Sequence, residues 1–77
     1  MCFALYVGRD CHLCEIARVE LARLAEELDF EVEEIDITGE PELEARYREW
    51  LPVLELDGER ICVYRVEEKA IRSRLKA

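Results

Sequence analysis

The strongest constraint on this chain is a junction near its start. An apolar run, Cys2-Phe3-Ala4-Leu5-Tyr6-Val7, stops at Gly8-Arg9-Asp10, and two cysteines three positions apart, Cys11 and Cys14, then open a long helical pattern. A short apolar run closed by a turn signal reads as a strand buried on both faces, the kind found in parallel sheets. Residues three apart share one face of a helix. Cys11 and Cys14 therefore either close a small disulfide at the first helical turn or both offer thiolates to a metal, and each alternative demands different partners from the rest of the chain.

Asp10 is placed to cap the helix by accepting from amides of its first turn. From about Cys11 to Asp29 the residues Cys14, Ala17, Leu21, Leu24 and Leu28 recur at spacings of three and four, a single apolar stripe. Cys14 lies on that stripe and Cys11 at the helix mouth, so one thiol is expected to be covered and the other exposed. Phe30 to Ile37 reads as a second strand whose alternation slips: Phe30 and Val32 agree in phase, then Ile35 and Ile37 agree in the opposite one. A bulge or a late strand start would account for this. Pro41 suits the first position of a second helix. That helix is marked by Leu43, Tyr47 and Trp50 or Leu51, and it must end by Leu51 because Pro52 follows. Val53 to Leu56 is a third strand, Asp57-Gly58 a two-residue hairpin turn, and Arg60 to Tyr64 the returning fourth strand. Glu67 to Lys76 is a last helix that buries Ala70, Ile71 and Leu75. The order β-α-β-α-β-β-α implies an α/β fold in one domain over residues 1–77. It builds a four-stranded mixed sheet with helices on both faces.

Composition narrows the function classes. A net charge of −8 is the wrong sign for a nucleic-acid binder. No apolar run approaches the ~20 residues of a membrane span, and the first residues lack the pattern of a secretory signal. A cytoplasmic location is expected, where thiols stay reduced and a CxxC is more often catalytic or metal-binding than structural. Acidic residues concentrate between Glu15 and Glu49, whereas Lys69, Arg72, Arg74 and Lys76 sit at the end of the last helix, where cations suit its dipole. Asn and Gln are absent, Ser and Thr occur once each, and Glu and Arg are dense. This composition fits a protein from a hot environment.

Leu5-Tyr6 closing the first strand, Cys11-His12-Leu13-Cys14 opening the first helix, Ile35-Asp36-Ile37 in the second strand and Leu51-Pro52-Val53-Leu54 before the hairpin together resemble the thioredoxin-fold superfamily. Over nearly its whole length the chain is similar to the small glutaredoxin-like proteins. The resemblance implies a minimal thioredoxin/glutaredoxin-like fold with Cys11 as nucleophile, Cys14 as resolving cysteine and Pro52 as a cis-proline beside the CxxC. Two departures stand out. Glutaredoxins usually carry Pro-Tyr or a similar pair where this chain has His12-Leu13. They also carry Gly-Gly and an acidic residue, part of a glutathione site, where this chain reads Tyr64-Arg65-Val66-Glu67-Glu68. Cys-x-Leu-Cys with a short C-terminal half resembles a distinct glutaredoxin-like subgroup.

The expected chemistry is thiol–disulfide exchange by a thiolate. A helix N-terminus favours negative charge at Cys11. Arg9 and a protonated His12 add to this, and Asp10 and Glu15 oppose it. Leu51 and Pro52 are expected to leave backbone groups free for an extended substrate, with Tyr6 as a further residue shaping the site. The plainer readings are an exposed helix-start residue for His12, packing for Tyr6, core or rim for Trp50, and small apolar strand residues for Cys2 and Cys62. No metal is expected: zinc needs four ligands, and Cys11, His12 and Cys14 are too closely spaced to serve together. A cluster shared between chains, as the wider family permits, usually needs glutathione. No resident cofactor is expected either, since no nucleotide-binding glycine motif occurs, although glutathione could serve as co-substrate. The implied partners are a protein or small-molecule disulfide and an external reductant, either glutathione or a thioredoxin reductase system, with no nucleic acid and no membrane. The alternative reading is a thioredoxin-fold binding module that docks a partner, or holds a metal or cluster through its CxxC, without turnover.

Overall fold

In the computed structural model, which describes residues 1–76, the elements are β1 (Cys2–Val7), α1 (His12–Leu28), β2 (Glu31–Asp36), α2 (Pro41–Tyr47), β3 (Val53–Leu56), β4 (Glu59–Val63) and α3 (Glu68–Lys76). A single 3₁₀ turn, Arg48–Trp50, follows α2. The sheet order is β2-β1-β3-β4. β2 runs parallel to β1, while β3 and β4 are each antiparallel to the strand before them in that order. This is the mixed sheet and element order that the sequence predicts. The hairpin forms at Asp57-Gly58 with φ of 52° and 80°, the left-handed pair that a two-residue turn needs.

Alternation along the strands divides the core in two. Phe3, Leu5 and Val7 of β1, with Leu54, Leu56 and Cys62, pack against Cys14, Leu21 and Leu24 of α1 and Ile71 of α3. On the opposite face Val53 packs with Ile37 and Tyr47, and Tyr6, Leu43 and Val63 close around them. Leu51 touches both clusters. Leu21 and Leu24 are each 1% exposed, and burial of such a side chain is worth about 1.5–3 kcal/mol.

β1 is not buried on both faces as its composition suggests. Phe3, Leu5 and Val7 are buried, but Cys2 is exposed and Ala4 and Tyr6 are half-buried. The reason is length. Seven residues of α2 span about 10 Å, against about 20 Å for the six residues of β1. The short helix covers only the Tyr6 end, whereas on the other face the seventeen residues of α1, together with α3, bury Phe3, Leu5 and Val7.

The phase slip in the second strand has a related cause. The β1–β2 register runs unbroken from Cys2↔Glu31 to Val7↔Asp36, so there is no bulge. Phe30 and Val32 point toward α1, and Ile37 joins the α2 cluster. The apolar residues change face along β2 because the covering helix changes. Between them Glu34 faces α1 and holds Arg18 through two hydrogen bonds, of 2.6 and 3.0 Å.

Candidate active site

The loop between β1 and α1 places the two cysteines. Asp10 does not cap the helix: it adopts a left-handed φ of 54° that turns the chain out of β1. Cys11 then takes the N-cap position in an extended conformation, and its Sγ accepts a hydrogen bond of 3.1 Å from the Cys14 N–H. The sulfur itself thus sits at the positive end of α1, where the dipole and unpaired amides favour an anion. Cys11 and Cys14 lie at disulfide-bonding distance, with their Cα atoms 5.2 Å apart. Cys14 is 1% exposed within the main core, while Cys11 is only partly covered.

Pro52 is buried, and the Leu51–Pro52 peptide bond is cis. Two contacts tie this turn to its neighbours. A Cβ at Gly8 would stand 2.6 Å from Leu51 Cδ1, so the β1–α1 loop passes against Leu51 and a side chain there would require Leu51 to shift. On the other side the Tyr64 N–H donates to the Pro52 carbonyl at 2.9 Å. Tyr64 has a φ of 70°, a left-handed conformation that costs a bulky residue on the order of 1–3 kcal/mol. It falls in the stretch where the resemblance to glutaredoxins calls for glycine, and the backbone there takes up a conformation that glycine adopts freely.

The remaining sequence candidates are placed as follows. His12 is exposed, with Nδ1 3.7 Å from Glu15 Oε2, a pairing worth little at such exposure. The Arg9 N–H donates to the Thr38 hydroxyl at 3.2 Å, which links this loop to the one after β2. The Arg9 charge also acts on Asp36, whose carboxyl is held below the usual range first by hydrogen bonds from Thr38. Tyr6 lies in the α2 cluster rather than at the CxxC. Its ring stacks on Tyr47 at 4.0 Å, and the Tyr47 hydroxyl donates to Glu55 at 2.9 Å. Burial first, then the Tyr6 hydroxyl and the Glu55 carboxylate, push the Tyr47 phenol well above the usual tyrosine range. Trp50 stands at the rim, 41% exposed, with its ring 6.0 Å from Tyr64. Cys62 is buried on β4 and Cys2 exposed on β1, with β3 between their strands.

The sequence does not single out the groove beside the cysteines. It is lined by Leu13, Ile16, Ala17, Glu20 and the stretch from Tyr64 to Lys69, with a volume of about 510 Å³. The available signal was Leu13 and Ile16: both are apolar and both fall off the buried stripe of α1. Among the described residues no group of three or more His, Cys, Asp or Glu side chains is arranged to hold a metal. No helix among them is long and apolar enough to cross a membrane.

Comparison with known proteins agrees with this geometry. The family model of the Glutaredoxin-like domain (DUF836) matches residues 3–76. Uncharacterized protein Mb0520 of Mycobacterium bovis is 35% identical over 74 residues, covering 90% of this chain and 76% of that protein. The solution structure of protein Ne2328 from Nitrosomonas europaea superposes with a TM-score of 0.82 at 30% identity, over 94% of this chain and 87% of that one. Thioredoxin 1 from Thermosipho africanus shares the fold, with a TM-score of 0.68 at 19% identity over 99% of this chain and 96% of that one. With the family match over residues 3–76, the chain belongs to the Glutaredoxin-like domain (DUF836) family, and its fold is thioredoxin-like.

Proposed function

We propose that the protein is a dithiol thiol–disulfide oxidoreductase in which Cys11 attacks and Cys14 resolves. One observation carries this reading: two sulfurs at bonding distance at the start of α1, one partly open and capping the helix, the other buried beneath it. The Cys11 thiolate attacks one sulfur of a substrate disulfide. A Cys11–substrate bond forms, the substrate bond breaks, and the departing thiolate takes a proton from solvent. Cys14, deprotonated, then attacks Cys11 Sγ and expels the second substrate thiolate. The protein dithiol loses two electrons, and the substrate disulfide gains them. Two thiols of an external reductant, glutathione or a thioredoxin reductase system, reverse the change. Pro52 and Leu51 border the approach to Cys11, while Arg9 and His12 contribute charge near the helix start. The substrate is a protein or small-molecule disulfide, and the protein works in the cytoplasm without a resident metal or cofactor.

The test is to trap the mixed disulfide. Cys14→Ser, incubated with a peptide disulfide, should accumulate an adduct that maps to Cys11. Cys11→Ser should form none at Cys14. Adducts confined to Cys2, or none in either variant, would leave a thioredoxin-fold binding module as the better reading.

A further inference from the structure

Resting on the oxidoreductase reading, we infer that the disulfide is carried on an extended polypeptide segment with uncharged apolar residues beside the half-cystine, and that Leu13, Ile16 and Val66 form the surface that reads them. Leu13 lies between the two cysteines in the chain and lines the groove beside α1, whereas Cys11 and Cys14 themselves line a separate hollow with Gly8, Asp10, Glu15 and Arg18. A polypeptide disulfide under attack at Cys11 brings the residues next to its half-cystine within reach of Leu13. Leu13 is 46% exposed, Ile16 44% and Tyr64 45%. A chain with a net charge of −8 thus exposes large apolar side chains in a cluster beside its thiols.

The charged side chains that line the groove, three acidic and two basic, give it no excess of positive charge. Arg65 is held by Glu67 at 3.0 Å, and Glu68 by Arg23 and Arg72. The Glu67 N–H, at the start of α3, is directed at Cys62 Sγ at 3.4 Å. The end of α3 that would otherwise receive a ligand carboxylate therefore carries two carboxylates of its own. Glu20 and Lys69 also line the wall, one charge of each sign. A small thiol bearing carboxylates meets no excess of positive charge here, whereas a leucine-sized neutral side chain meets Leu13, Ile16 and Val66.

The test compares kcat/KM of the reduced wild-type protein toward oxidised peptides that carry leucine, aspartate or lysine on both sides of the half-cystine, and toward glutathione disulfide. The leucine peptide should be reduced roughly tenfold faster, or more, than the aspartate peptide and glutathione disulfide, the order expected for burying one such side chain. Ile16→Asp, at an exposed position of α1, should bring leucine and aspartate peptides to near parity while the variant still forms its Cys11–Cys14 disulfide. Equal rates for all substrates, a preference for glutathione disulfide, or an unchanged preference in Ile16→Asp would overturn the inference. Fastest reduction of the lysine peptide would also overturn it, since overall charge would then be selecting the substrate. These results leave the oxidoreductase reading standing. No reduction of any substrate, with no adduct at Cys11, would instead sink that reading.

Discussion

Cys11 serves two purposes with one atom: it ends the helix and it is the accessible sulfur. Because its Sγ accepts the Cys14 N–H, negative charge on that sulfur is stabilised by the hydrogen bond that caps α1. The other cysteines show how far environment separates chemically identical groups. Cys62 is buried, and that burial pushes its thiol up, so the thiolate needed for reaction is disfavoured. Cys2 is exposed on the sheet. In the oxidised native protein at pH 8, an alkylating reagent should modify Cys2 readily and Cys62 only as fast as the fold opens, as peptide mapping would show; equal labelling would contradict this placement. At this scale the sequence was informative wherever side-chain spacing decides the outcome. Cys14 could be placed inside because it shares a helical stripe with Ala17 and Leu21. The cap was not legible, because Asp10 is the better cap on chemistry and the use of Cys11 rests on a left-handed turn at Asp10.

Three segments meet at the site: the β1–α1 loop, the turn through Leu51 and Pro52, and the connector from β4 to α3. They are held by the packing of Leu51 against Gly8 and by the Tyr64–Pro52 hydrogen bond. Leu51 cannot yield freely to a side chain at Gly8, since it is packed between both core clusters. Gly8→Ala should therefore cost about 1–3 kcal/mol of stability, read by denaturant unfolding. It should also lower the rate of disulfide exchange, because the strain falls between the CxxC loop and the proline turn. An unchanged unfolding midpoint and rate would show that the two segments move independently. The helices and the hairpin were legible because their signals are local: Pro41 at a helix start, Asp57-Gly58 at a turn. The open half of the second sheet face was not, because it depends on α2 being shorter than the strand it covers. The apolar groove was missed for a similar reason. Leu13 and Ile16 fall off the buried stripe of α1 by their own spacing, but that they share one groove depends on the stretch from Tyr64 to Lys69 lying beside them.

Across the whole molecule, α1 and α3 are joined by a closed ring of alternating charges: Arg23 to Glu27, Glu27 to Arg72, Arg72 to Glu68 and Glu68 back to Arg23. Arg74 to Glu59 fastens α3 to β4 in the same way. Single exposed pairs contribute little, but networks matter more, and more so at high temperature. Hydrogen bonds from Arg72 and then Arg23 hold the Glu68 carboxyl below the usual range, and Arg74 does the same for Glu59. A carboxyl lowered in the folded state stabilises that state above its unfolded value, and the stabilisation is lost as pH falls through the lower folded value. The thermal midpoint should therefore be highest near neutral pH, above the ~45–65 °C of ordinary domains, and should fall as pH drops below about 4, the carboxylate range. A flat acid limb, or an ordinary midpoint, would remove the ring as a source of heat resistance. The central claim concerns the cysteines, and it is tested most directly by equilibrating the protein in glutathione buffers of known potential and quantifying the Cys11–Cys14 disulfide by mass mapping. A reversible two-electron transition at about −180 to −270 mV, the span of related dithiol proteins, is the expected result. If no bond forms between Cys11 and Cys14 at any potential, the pair does not exchange disulfides and the proposed activity is wrong.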